Sequence, residues 1–139
     1  MDFRTYQEKA EQTVLYPSTV DIITKALEKC GDGEAVPLIV NMLKNVKSLN
    51  GNLAYAALGL AGEAGEINNK IKKVFRDNWG EVTEKARQDI KGELGDVLWY
   101  VAAVSRELGL DMDEIARENI DKLFSRKERG VLLGDGDNR

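Results

Sequence analysis

Histidine is absent from this chain, cysteine occurs once, proline twice, and aromatic residues make up only 6%. Without histidine there is no Glu-x-x-His ligand set, which sets aside the di-iron and di-manganese carboxylate bundles that depend on it. Cys30 alone cannot form an internal disulfide, which suits a reducing compartment. With so few prolines and β-branched runs, little interrupts a helix, and no segment alternates as a strand does. Long apolar runs are missing too. The longest uncharged stretch, residues 48–62, contains Asn and Gly and is too short and polar to span a bilayer. Met1-Asp2-Phe3-Arg4 lacks an apolar leader, so a cytoplasmic location without membrane contact is expected. Positive charge is not in excess. The net charge of −4 argues against a groove for a nucleic-acid polymer, while leaving room for a nucleotide held through metal ions.

What is present points to helices. The 42% hydrophobic and 32% charged residues fit a soluble globular chain, and the 139 residues predict one domain over 1–139. Residues 3–16 read as a helix ended by Pro17. Ser18 or Thr19 caps a second over 20–29, with Gly31 as its stop. Residues 34–49 predict a third, tolerating Pro37 in its first turn, and residues 48–52 a turn. Two long helices follow, over 53–77 and 83–108, split by Asn78-Trp79-Gly80. Gly109 ends the second, and Asp111 caps a last helix reaching Glu128. A glycine-rich tail occupies 130–139. The expected fold is an all-α helical bundle.

Two stretches carry the chemistry: GEAGE at 62–66 and GELGD at 92–96. On a helical wheel with Glu63 at zero, Leu53, Ala56, Leu60, Ile67, Ile71 and Val74 fall within about 20–80°. With Glu93 at zero, Ile90, Val97, Val101, Val104 and Leu108 fall within the same arc of about 20–80°. Glu66 and Asp96 each lie about 60° to the other side. Both long helices thus carry an acid pair on the shoulder of an apolar stripe, as in an internal duplication. Singly, such spacings are common on solvated faces. Together, four carboxylates repel unless a cation sits among them, and Mg²⁺ is the hard, oxygen-seeking choice. Gly62, Gly65, Gly92 and Gly95 are expected to let a backbone or a ligand come close.

Cations follow the acids. Lys70, Lys72, Lys73 and Arg76 come after the first pair, and Lys70 has Glu66 as an ordinary i,i+4 partner. On the last helix, Asn119, Lys122, Arg126 and Arg129 form a polar stripe beside Ala116, Ile120, Leu123 and Phe124. A solvated face accounts for this stripe as well as a polyphosphate site does.

The combination LGLAGEAGEINNKIKKVFRD, then GELGDVLWYVAAVSRELGL, then NIDKLFSRKERG resembles the MazG-like all-α nucleoside triphosphate pyrophosphohydrolases. The resemblance covers residues 1–17 and 52–139, which leaves 18–51 as a helical insertion. Where the family usually has a further acid before the first pair, this chain has Gly62. The resemblance implies two long antiparallel helices carrying the acid pairs, and Mg²⁺-dependent hydrolysis of (deoxy)nucleoside triphosphates to monophosphate and pyrophosphate, with Mn²⁺ as a substitute. It implies Glu63, Glu66, Glu93 and Asp96 as metal ligands, and Lys70, Lys73, Asn119, Lys122 and Arg126 near the triphosphate. Glu66 is the candidate base towards water. For the nucleobase the candidates are Trp99, which lies off the apolar stripe, with Tyr55, Tyr6 and Trp79. The resemblance also implies a homodimer or homotetramer. The alternative is a regulatory module that binds nucleotide or Mg²⁺ without turnover.

Overall fold

Capping side chains decide where the helices begin. Asp2 accepts the N–H of Thr5, Asn52 that of Tyr55, Thr83 that of Ala86, and Asp111 those of Asp113 and Glu114. In the computed structural model, which describes residues 1–30, 33, 35–46 and 51–131, these caps open helices in an all-α chain. The helices are α1 (Phe3–Glu11), α2 (Thr19–Cys30), α3 (Ala35–Lys44), α4 (Leu53–Asn78), α5 (Glu84–Leu108) and α6 (Met112–Glu128). Among the described residues there is no strand, and no helix is long and apolar enough to cross a membrane.

Two of the expected spans are corrected. The first helix stops at Glu11 rather than reaching residue 16. The Thr13 hydroxyl donates to the Ala10 carbonyl, and Val14 N–H turns to Glu11 O, so the i,i+4 ladder ends there. The third helix ends at Lys44, where Asn45 and Val46 donate three residues back, to Met42 and Leu43. The expected stop at Gly31, most of the turn at 48–52, and the tail from 132 onward lie outside the described residues.

The α4–α5 hairpin is the frame of the molecule. Gly59 meets Tyr100, Glu63 meets Asp96, and Lys70 meets Glu93, so numbers rise on one helix as they fall on the other: the two run antiparallel. The turn between them places Trp79 at φ 53°, and Gly80 N–H reaches back to the Val74 carbonyl. Helix α1 packs on α5, where Ala10, Ala102 and Met112 form a small core with Tyr6, Leu98, Trp99 and Val101. Helix α6 is tied to α1 at its start: Phe3 N–H donates to Asp113, Arg4 to Asp111, and the Gln7 amide both donates to the Leu110 carbonyl and accepts from Met112.

Helices α2 and α3 pack on each other. Their two ends are clasped together, Thr19 donating twice to the Gly51 carbonyl and Asn52 donating to Pro17 O. The apolar stripe of α4 is only partly used. Ala56 and Val74 are buried, whereas Leu53 and Ile71 are exposed, together with Leu58, Phe75, Leu94, Ile120, Leu123 and Phe124.

Candidate active site

The site begins with a close approach. A Cβ at Gly59 would overlap the ring of Tyr100, so glycine on α4 lets α5 bring that ring against its backbone. One turn further along α4, the same register sets Glu63 beside α5. One carboxylate oxygen each from Glu63, Glu93 and Asp96 lie within 4.8 Å of one another. Glu63 and Glu93 are half-buried and Asp96 is exposed. Desolvation, then the charges of Asp96 and Glu93, push the Glu63 carboxyl above its ordinary value.

Glu66 is not part of this triad; it lies on an exposed position about 60° round the helix from Glu63. Its charge still adds to the rise at Glu63. The described geometry is therefore three acids at one centre and a fourth at the rim. Three oxygen donors with no soft atom among them suit Mg²⁺ or Mn²⁺, and their mutual repulsion suits a cation of charge two.

Lys70 pairs across the hairpin with Glu93, at 3.1 Å, in place of the expected i,i+4 partner Glu66. Lys70 and Lys73 line a cavity of about 210 Å³ at the far end of the hairpin, with Lys85, Thr83, Asp77 and Asp89. Both lysines expected near phosphate thus border one hollow next to the acids.

The aromatic candidates divide. Trp99 is engaged within the chain: its indole N–H donates to the Thr13 hydroxyl and its ring stands edge-on to Tyr100 at 4.9 Å. Tyr55 stacks on Tyr16 at 4.8 Å. Burial first, then Tyr55, and then the charges of Glu63 and Asp96, raise the Tyr100 phenol. Burial and then Asp96 likewise raise Tyr6. Trp79, 97% exposed, stands apart at the hairpin turn. Behind this cluster Arg106 donates to the Tyr16 hydroxyl, which donates to Glu107, and burial holds the Tyr16 phenol up at about 12.

On α6, Asn119 and Lys122 are exposed, while Arg126 is buried, contrary to the uniform polar stripe expected. None of the three belongs to the acid triad or lines the lysine cavity.

Of the four glycines expected to allow close approach, none does so among the described residues, where a Cβ at Gly62, Gly65, Gly92 or Gly95 would meet nothing within 4 Å. The glycine that matters for the hairpin is Gly59, which sequence reasoning passed over along with Tyr100. The signal was available, because on the wheels drawn from Glu63 and Glu93 both fall about 20–40° from the acid, on the side away from the apolar stripe.

An antiparallel α-helical hairpin with acids gathered at its middle and lysines beside them is the class of protein seen here. Residues 52–131 match the MazG nucleotide pyrophosphohydrolase domain. The match takes in α4, α5 and α6 entirely, and the chain belongs to that family. At family level it is a hydrolase of the nucleotide pyrophosphohydrolase type. A relative, the Gene 37 protein of Mycobacterium phage L5, is 51% identical over 87 residues, which cover 63% of this chain and 76% of that protein. Its name states no activity. No solved structure matches the chain.

Proposed function

We propose that the protein hydrolyses (deoxy)nucleoside triphosphates between the α- and β-phosphates, giving the monophosphate and pyrophosphate, with Mg²⁺ or Mn²⁺ as cofactor. The single observation that carries this reading is the triad of Glu63, Glu93 and Asp96 on adjoining helices of a MazG-family hairpin. These acids hold the cation, which when bound supplies the Lewis acid that polarises phosphate oxygens and makes water a better nucleophile. Glu66, exposed at the rim, takes the proton of the attacking water on a carboxylate oxygen. Lys70 and Lys73, at the adjoining cavity, meet the charge of the triphosphate.

The whole chain functions as one domain, with residues 18–51 an insertion and 130–139 a tail. Exposed Ile71, Phe75, Leu94, Ile120, Leu123 and Phe124 support a homodimer or homotetramer, in which exposed Asn119 and Lys122 meet a neighbour's triphosphate and the buried Arg126, one turn after Lys122, supports them from within α6's own chain. Trp99 supports the nucleobase through Tyr100. The net charge of −4 supports an enzyme of free nucleotides rather than of a nucleic-acid polymer, and we place it in the cytoplasm without a membrane partner.

The test is a panel of canonical and modified nucleoside triphosphates with Mg²⁺, scored separately for pyrophosphate and orthophosphate. Pyrophosphate in step with monophosphate is expected. Orthophosphate as the main product overturns the reaction class, and tight nucleotide binding without release of either would leave the regulatory module.

A further inference from the structure

Lys70 is already engaged within the chain. Its ammonium donates to Glu93 Oε1 at 3.1 Å from the neighbouring helix, and the two side chains are only 28% and 20% exposed. Glu93 is at the same time a member of the acid triad. An ammonium and a divalent cation on one carboxylate repel each other and draw on the same lone pairs.

Lys70 also has somewhere to go. It borders the 210 Å³ cavity, whose wall includes Asp89 one turn before Glu93 on α5. Asp89 itself is held by Lys85 at 2.6 Å, and Glu66 stands one turn before Lys70 on α4. The flexible four-carbon stem of lysine can make this move without any backbone change.

We propose that Lys70 is a positioning residue that holds Glu93 in the metal-free protein and gives it up to a divalent cation, moving towards the lysine-lined cavity as the cation binds. This rests on the reading of the triad as a metal site given above. In the metal-free state Lys70 neutralises one acid and fixes the direction of the Glu93 carboxylate. By linkage, what it contributes there it subtracts from cation affinity. The sign is distinctive, because a residue that merely supports the fold would weaken the cation on removal.

The experiment is calorimetric titration of Mn²⁺, without nucleotide, into the wild type, Lys70→Met and Lys72→Gln. Lys72 lies on the same helix and pairs with Asn69 rather than with the triad, so its variant removes equal charge without the exchange. Lys70→Met is expected to bind Mn²⁺ roughly fivefold tighter or more, and Lys72→Gln to change far less. In parallel, acylation of Lys70 in the wild type, followed by peptide mass spectrometry, is expected to speed up several-fold when Mg²⁺ alone is added. Unchanged or weaker Mn²⁺ binding by Lys70→Met overturns the exchange. So does an equal gain in Lys72→Gln, which would assign the effect to net charge. Acylation of Lys70 that Mg²⁺ leaves unchanged or slows overturns it as well, and that measurement decides the matter on the unmodified chain if Lys70→Met does not fold. A wild type that binds Mn²⁺ and releases pyrophosphate while these outcomes fail loses only the exchange. A wild type that binds no Mn²⁺ loses the triad reading and the exchange with it.

Discussion

Asp111 at the start of α6 and Glu63 in the middle of α4 are both carboxylates, and the fold gives them opposite surroundings. Burial works against the charge of Asp111, but the N–H groups of Asp113 and Glu114 and the guanidinium of Arg4 more than offset it, so its carboxyl sits below the ordinary value. Glu63 is desolvated as well and meets Asp96 and Glu93 instead of donors, so its carboxyl sits above. An acid that the chain itself satisfies is a structural part, here the clasp between α1 and α6. An acid that the chain leaves facing other acids is costly to keep ionised, and a cation among them would relieve that cost. The difference, more than the number of acids, is what makes the α4–α5 hairpin the candidate site.

Neutralising one acid from each region separates the two roles, and this carries the largest expected effect. Glu93→Gln keeps shape and loses a ligand charge, and is expected to lower kcat by about a hundredfold or more while the helix content by circular dichroism stays unchanged. Asp111→Asn is expected to do the reverse, leaving turnover near wild type and lowering Tm by a few degrees through the weakened cap and the lost Arg4 pair. Full activity in Glu93→Gln would break the comparison, since the gathered acids would then be incidental.

A second contrast lies between two glycines three residues apart on α4. Alanine at Gly59 drives a methyl into the Tyr100 ring, and overpacking of this kind costs about 1–3 kcal/mol. Alanine at Gly62 meets none of the described residues within 4 Å and relieves the helix of a poor former, a gain of about 0.5–1 kcal/mol. Urea unfolding of the two variants checks both signs. If Gly62→Ala is stable yet inactive, the space beside Gly62 belongs to a ligand or a neighbouring subunit rather than to the fold.

The glycines also show how far the sequence could be read. The long helices were legible because their ends carry strong local signals, Asn52, Thr83, Gly109 and Asp111, and because one apolar period runs through each. That the acids share a centre was legible for Glu63, Glu93 and Asp96, whose places follow from facing positions on two antiparallel helices. The wheel could not say which acid of a pair turns inward. Glu66 and Asp96 occupy equivalent wheel positions, yet only Asp96 joins the triad, because membership depends on the register between helices. Register is a tertiary quantity, set here by how Gly59 and Tyr100 meet. The pairing of Lys70 with Glu93 rather than Glu66 was hidden for the same reason. The early end of α1 was a local matter, but it turned on a competing side-chain bond from Thr13 that periodicity does not record.

The smallest effect, and the sharpest form of the comparison, is in the pH dependence of the metal-free protein, measured with chelator present. Asp111 has a lowered folded-state pKa, so its contribution to stability is fully present above the unfolded aspartate value of about 3.9 and is lost as pH falls through the lower, folded value. Glu63 has a raised folded-state pKa, so its contribution is present below the unfolded glutamate value of about 4.3 and is lost as pH rises through the higher, folded value. Glu63→Gln removes the ionised form, and with it the repulsion from Asp96 and Glu93. Its Tm is therefore expected to equal or exceed that of wild type at pH 7, with the difference closing as pH falls through the raised, folded value and gone below about 4, where Glu63 is protonated in the folded and unfolded chain alike. Asp111→Asn is expected to be less stable than wild type at pH 7, with the gap closing only at more acid pH, where Asp111 itself protonates. Thermal unfolding of the three proteins from pH 7 to pH 3 measures both curves. A Glu63→Gln variant that is clearly less stable than wild type at pH 7 would mean that Glu63, like Asp111, is satisfied by the chain, and the distinction between the two regions would be lost.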